Sequence, residues 1–346
     1  MILLRTLRLI CSLAVLALAS VTAPARVAAS AASAASSIAL SPPAPKAGVA
    51  PTARGPVSPQ RTLILGDSIT QDGRWVSFLE YLLDRGGFAG EWDVISIGLG
   101  SETVSGLSEP SHPQPRPCVL DRLDAALAAV RPARVLACYG MNDGIYHPPS
   151  PERRAAYLRG LTALRDRVQA AGATLVLITP PLFDALPIAK RLAKPDAATF
   201  GYQAPYAEYN AVLTEFADEA LRLRGPGVDV IDLHRALLAE LAERRRSDPA
   251  FTFSPDGVHP GALGHLVMAR AIAPGLGIAV APAEAADELR RVEADPRFAL
   301  IHQRRALRSE AWLPFVGYTR ERVFKSGSVT ATEAVVARLT AELKRP

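Results

Sequence analysis

The sequence predicts an α/β fold in which a parallel β-sheet carries helices on both faces. Two observations lead there. Five short apolar, β-rich runs, TLILGD (62–67), WDVISIG (92–98), RVLACYG (134–140), TLVLITP (174–180) and VDVIDLH (228–234), each end in Gly, Pro or polar residues. Between them lie stretches with apolar residues three and four apart, the period of an amphipathic helix. Strands alternating with helices demand crossover connections, and strands buried on both faces read as continuous apolar runs.

In order along the chain, Arg5 and Arg8 precede an apolar run from Leu9 to Ala19, followed by Ala-x-Ala-like sites ending at Ala19, Ala25 or Ala29. This is the pattern of a secretory signal peptide over 1–29. The run is eleven residues long, and a membrane span needs about 20, so no stable span is expected after cleavage. Residues 30–60 are Ala, Pro and Ser without period, a linker that cannot bury enough surface to order itself. The α/β domain occupies 61–280, with helices predicted over Leu120 to Val130, Ala155 to Ala171, Tyr206 to Leu223 and Gly261 to Ala273. Residues 281–346 turn helical and charged, a C-terminal extension, with Thr330 and Glu333 spaced as a capping box for the last helix.

Composition narrows the function. The chain has 346 residues, 49% hydrophobic, with a net charge of +5, enough for an ordinary core. The excess of bases belongs to the first sixty residues, which hold Arg5, Arg8, Arg26, Lys46 and Arg54 and no acid; beyond them 34 bases face 34 acids. A neutral body lacks the basic face that neutralises phosphates, so no nucleic-acid partner is expected. Without the leader's Cys11, two cysteines remain, Cys118 and Cys138, outside any CxxC pair, which excludes a thiolate zinc site. In an oxidising compartment they either bond to each other, Cys118 opening a helix near the strand ends and Cys138 closing the third strand, or stay two separate thiols.

In a sheet of this kind functional residues gather at the carboxyl ends of the strands, and four clusters stand there. Gly66-Asp67-Ser68-Ile69-Thr70 follows the first strand and puts Ser68 at a helix entrance, where hydroxyl and backbone N–H can face an oxyanion, or where a serine merely caps. Ser96 to Thr103 follows the second strand; its GxGxxT lacks the third glycine of a dinucleotide fingerprint, and Gly98 offers a backbone N–H close to a ligand. Tyr139 to Gly144 brings the amide of Asn142 beside the first strand, where turn chemistry is the plainer explanation for an Asn taken alone. Ser254 to Pro260 holds Asp256 and His259 three apart, so the carboxylate can fix the imidazole tautomer. Metal ligation by Asp256, His259 and His265 lacks a further ligand cluster, and neither metal nor cofactor is expected.

A hydroxyl nucleophile, a glycine N–H, an asparagine donor and an Asp-His pair are the parts of acyl transfer. With ILGDSIT, GMND and DGVHPGALGH, the sequence resembles the SGNH hydrolase superfamily, the GDSL-type esterases, from about Arg61 to Ala273. The resemblance implies a flavodoxin-like three-layer α/β/α sandwich with sheet order 2-1-3-4-5. It implies Ser68 as nucleophile, His259 as base and Asp256 as its orienting partner, with an oxyanion hole from the backbone of Ser68 and Gly98 and the side chain of Asn142. Members often carry Asn two residues before the glycine; this chain has Ser96. No G-x-S-x-G elbow surrounds Ser68, which argues against the α/β-hydrolase fold. Asp67 is expected to brace the turn, His147 to rim the pocket as a substrate contact, and His112, His234 and His302 to lie at the surface or cap helices.

The activity expected is an exported, periplasmic or extracellular, serine esterase removing short acyl groups, acetyl foremost, from a small-molecule or polysaccharide ester. The alternatives are a lysophospholipase or arylesterase, an O-acyltransferase sharing the first half-reaction, and, from another class, a carbohydrate-binding module on an inactivated scaffold. Between Gly98 and Asn142 no apolar run suited to a deep acyl tunnel appears, and Ser108 to Pro117 is polar and Pro-rich. An apolar channel would need a roof such as Phe298, Trp312 and Phe315.

Overall fold

The structure is a computed structural model that describes residues 60–88, 90–317 and 327–345. The leader and nearly all of the Ala/Pro/Ser stretch lie outside the described residues.

Five strands, β1 (Gln60–Gly66), β2 (Trp92–Ser96), β3 (Arg134–Cys138), β4 (Thr174–Ile178) and β5 (Val228–Ile231), form one parallel sheet in the order β2-β1-β3-β4-β5. The helices are α1 (Ser68–Asp72), α2 (Arg74–Arg85), α3 (Leu123–Val130), α4 (Pro151–Ala170), α5 (Tyr209–Arg222), α6 (Leu233–Ser247), α7 (Ala262–Ile272), α8 (Ala285–Ala294), α9 (Pro296–Phe315) and α10 (Val329–Leu343). The strands are apolar through their buried middles because each face has its own core. Leu63, Leu65, Val135 and Leu175 pack under α3, α4 and α5 with Leu123, Leu161 and Leu213, whereas Ile64, Leu136 and Val176 turn to the other face, among Phe78, Leu237 and Met268 of α2, α6 and α7. Alternation with period two on a sheet buried on both sides gives the three-layer sandwich.

The β1–β3 boundary is the switch point of the chain path, since β2 returns to one side of β1 and β3 leaves on the other. The connections that leave both strand ends diverge there, opening the crevice in which sheets of this kind bind ligands.

The C-terminal helices are part of the packed body. Phe298 of α9 stacks on Phe78 of α2 with ring centroids 4.7 Å apart, and Arg297 forks onto Asp84 at 2.9 Å. Arg308 donates to Asp93 at 2.5 Å and to the Val94 carbonyl at 2.8 Å, and its other nitrogens reach Glu333 of α10 at 2.8 and 2.7 Å. The edge strand β2 is thereby covered, the usual protection of an open sheet edge. Glu333 is occupied by Arg308 and by the Trp312 indole N–H at 2.7 Å, so the expected capping box is not formed. Ser328 caps α10 instead, accepting from the Ala331 N–H.

One alternative left open by the sequence is settled, and one expectation changes. Cys118 and Cys138 are both free: Cys138 lies in the core under α2 and α7, while the Cys118 thiol faces the carbonyl of Val104, a residue of the opposite core, so the sheet separates them. His234, expected at the surface or as a helix cap, is fully buried on the first turn of α6, its Nε2 3.0 Å from Thr214 Oγ1 and its N–H donating to Thr179 Oγ1 just past β4. His302 is half-buried with Nδ1 3.0 Å from Ser77 Oγ, and His112 has Nε2 3.2 Å from Ser101 Oγ. No described helix is long and apolar enough to cross a membrane.

Candidate active site

The site begins where β1 gives way to α1. Asp67 caps α1, its Oδ1 accepting the Ile69 N–H at 3.0 Å, so the bracing expected of Asp67 is present and Ser68 is the first helical residue. Gly66 has no room for a side chain: a Cβ would stand 2.2 Å from Thr70 Oγ1 and 2.9 Å from the Cys138 carbonyl.

The loop after β2 presses on the same helix. A Cβ on Gly98 would lie 2.4 Å from the backbone of Thr70 and Gln71, so a larger residue would push α1 and Ser68 out of place. Ile97 and Leu99 donate to the Ile64 and Gly66 carbonyls at 2.9 Å. Extended backbone points alternate N–H groups in opposite directions, and the Gly98 N–H between them is directed away from that ladder. Ser96 is buried and its hydroxyl has no partner among the described residues.

Asn142 follows β3 and is buried. Its Oδ1 accepts from Arg116 Nη1 at 3.0 Å and from the Tyr146 hydroxyl at 3.2 Å, and its Nδ2 donates to the Glu102 carbonyl at 3.2 Å. Asp143, next in sequence, accepts the Val104 and Ser105 N–H groups at 2.9 and 2.7 Å, tying the second and third loops together.

Asp256 and His259 share one turn before α7. Asp256 Oδ1 accepts the Val258 and His259 N–H groups at 2.9 and 2.7 Å, and Oδ2 lies 2.7 Å from His259 Nδ1. The far side of the ring meets the nucleophile candidate, with Nε2 2.7 Å from Ser68 Oγ. With Nδ1–H donated to the carboxylate, Nε2 keeps its lone pair for the Ser68 O–H. The hydrogen bond to Asp256 raises the His259 pKa against the opposing effect of burial. Partial burial acts to raise the Asp256 pKa, but the bonds from the His259 ring and the two amides hold it below the usual carboxylate range. Burial pushes Asp67 up to about 7 and Asp143 up to about 6, in each case against backbone N–H donors that favour the charged form.

The structure thus brings Ser68, His259 and Asp256 into one hydrogen-bonded chain, with Gly98 against the helix that carries Ser68. His147 makes no hydrogen bond to that chain among the described residues: its ring packs 5.5 Å from the Phe200 ring, and its Nε2 is buried with no partner among the described residues. His265 turns to Asp72, 3.2 Å away, and no cluster of metal-ligating side chains occurs among the described residues. Residue patterns overlooked Arg116 and Glu109. They lie seven apart in the Pro-rich stretch 108–117, where no helical or strand period pairs them, and a lone Arg among prolines reads as a solvated loop.

A 2-1-3-4-5 sheet with a Ser-His-Asp chain at its carboxyl edge is the frame of a carboxylic ester hydrolase. The chain belongs to the GDSL-like lipase/acylhydrolase family, whose model matches residues 64–267. No curated protein matches it. Solved structures with similarity include BT4096, a gut microbial diltiazem-metabolizing enzyme, 20% identical over 64% of this chain and 47% of that one with TM-score 0.48. Others are the acetylxylan esterase Axe2 from Geobacillus stearothermophilus, 19% identical over 66% and 98% with TM-score 0.47, and the acetyl xylan esterase AlAXEase, 19% identical over 61% and 97% with TM-score 0.43. This chain spans about half the length of the first, 47%.

Proposed function

We propose that the protein is an exported serine esterase that removes short acyl groups, acetyl foremost, from carbohydrate esters through an acyl-enzyme on Ser68. The observation that carries this reading is the chain from Asp256 through His259 to Ser68, with both heavy-atom separations 2.7 Å. His259 Nε2 takes the Ser68 proton as Oγ attacks the ester carbonyl. The tetrahedral oxyanion is met by the Ser68 and Gly98 N–H groups and Asn142 Nδ2. Collapse expels the alcohol, which takes its proton from His259; water then attacks the acyl carbon in the same way, His259 as base, and frees the acid and Ser68.

Export is supported by the basic and apolar leader at residues 1–29. Preference for a short acyl group is supported by the polar Ser108 to Pro117 segment and by the positions of Phe298, Trp312 and Phe315. Phe298 stacks on Phe78 of α2 in one core, whereas Trp312 belongs to the other, is bonded to Glu333 and meets the exposed Phe315 edge-on at 5.6 Å, so the three form no common roof.

The test is turnover of p-nitrophenyl esters of graded chain length and of acetylated sugars, with Ser68→Ala and His259→Ala as controls. Both variants lose nearly all activity because attack and proton transfer work as a unit. The kcat/KM is highest for acetyl or propionyl and flat or falling by octanoyl, since a methylene gains about 0.8 kcal/mol only when buried. A rise near fourfold per methylene, roughly what full burial gives, would move the assignment to lipid esters. Full activity in folded Ser68→Ala would overturn the mechanism.

A further inference from the structure

We propose that Arg116, locked in place by Glu109, is the positioning residue that aims the Asn142 amide at the oxyanion. The inference rests on the reading of Asn142 as an oxyanion donor given above.

The two ends of an asparagine amide have nearly the same shape, and only the NH2 end stabilises a developing negative charge. Something must decide which end faces the site. Here Oδ1 is held by two donors, Arg116 Nη1 at 3.0 Å and the Tyr146 hydroxyl at 3.2 Å. A guanidinium has no acceptor, so a flipped amide would set N–H against N–H in a buried place. One Nδ2 hydrogen goes to the Glu102 carbonyl at 3.2 Å, and the second is left for a ligand.

Arg116 cannot touch substrate itself, because its side chain is 2% exposed. Its fork is fully committed: Nε and Nη2 each lie 2.7 Å from a Glu109 oxygen, which leaves Nη1 for Asn142. Glu109 Oε1 also accepts the Tyr202 N–H at 3.3 Å, so a third loop fixes the pair. The bond from a cation to Oδ1 is charge-assisted, and it draws electron density from the amide so that Nδ2–H becomes a better donor.

The backbone beside Asn142 points the same way. Ile145 and Tyr146 both hold left-handed conformations, at φ 46° and 59°, which non-glycine residues keep only where surrounding contacts fix them. Tyr146 is stacked on Tyr209 at 5.0 Å and lies under the Arg116 guanidinium at 5.6 Å. That conformation delivers the Tyr146 hydroxyl to Oδ1 as the second donor.

The test is a double-mutant cycle on p-nitrophenyl acetate, combining Arg116→Met/Glu109→Gln, which leaves no lone buried charge, with Asn142→Ala. In the native background kcat falls by about tenfold or more with KM within about twofold, and in the Asn142→Ala background the same change alters kcat by less than about twofold. The acid limb of the pH profile stays in place, since the Ser68–His259 pair is untouched. If the paired variant does not fold, Glu109→Gln alone is read in the same cycle, with a smaller loss that also vanishes without Asn142. Equal losses in both backgrounds, a loss confined to KM, or full kcat in folded protein would overturn the proposal. Ser68→Ala run alongside separates the two readings: activity there removes the proposed function, whereas an inactive Ser68→Ala with additive Arg116 effects removes only the positioning role.

Discussion

His259 Nε2 stands 2.7 Å from Ser68 Oγ although 191 residues separate them in sequence. In the proposed mechanism Nε2 must be unprotonated to accept the Ser68 proton, and the bond to Asp256 raises the pKa at which that condition is met. The kcat/KM therefore climbs with pH through a midpoint above the ordinary imidazole value of about 6.5. Asp256→Asn removes the carboxylate, so the midpoint moves to lower pH while the plateau drops. Rates with p-nitrophenyl acetate across pH 5 to 9 check both; an unmoved limb would show that Asp256 does not govern the base.

In the oxyanion role proposed for Asn142, its loss in Asn142→Ala costs about 10² to 10³ in kcat. The loss falls on kcat with KM nearly unchanged, because the bond is formed in the transition state. A change confined to KM in steady-state kinetics would make Asn142 a residue that positions bound substrate.

Asp67 carries a pH-dependent stability term. Burial raises its folded-state pKa from 3.8 to about 7, so its contribution to folding is fully present below pH 3.8 and is lost as pH rises through about 7. The loss amounts to at most about 4 kcal/mol. Asn keeps the oxygen that accepts the Ile69 N–H and carries no charge. Asp67→Asn therefore raises Tm more at pH 8 than at pH 4. Thermal melts at the two values check this, and an equal shift at both would contradict it.

Arg308 tests whether the C-terminal helices belong to the body of the protein. Its side chain is 9% exposed and joins Asp93 of β2 to Glu333 of α10. Removing one partner of such a group leaves carboxylates facing one another, and Arg308→Met lowers stability by about 3 to 5 kcal/mol. Urea unfolding of the full chain measures it; a native midpoint would mean that the extension is loosely attached.

The sheet and the helices next to it were legible in the sequence because their signals are local. A run such as Leu63-Ile64-Leu65, apolar at every position, states that both faces are covered, and the three-and-four spacing in Tyr209 to Arg222 states a helix with one apolar side. Ser68, Gly98 and Asn142 stood out as candidates because each falls just past a strand, where parallel sheets collect their chemistry; the Asp256–His259 turn follows α6 instead of a strand, and only its Asp-x-x-His spacing marked it.

Tertiary structure alone decided the remainder, for the reason that contacts between distant segments leave no period to read. The sequence could not say whether Cys118 and Cys138 meet; the sheet stands between them. It spaced Thr330 and Glu333 as a cap, but Arg308 and Trp312, more than twenty positions upstream, hold the carboxylate. It offered His234 as a surface or capping residue, and packing behind β4 and β5 buried it. Arg116 and Glu109 carry the point furthest: among prolines they look like solvated charges, and only the fold withdraws both from water. An ion pair stripped of water must satisfy its hydrogen bonds inside the protein, and that requirement sets the Arg116 guanidinium against Oδ1 of Asn142.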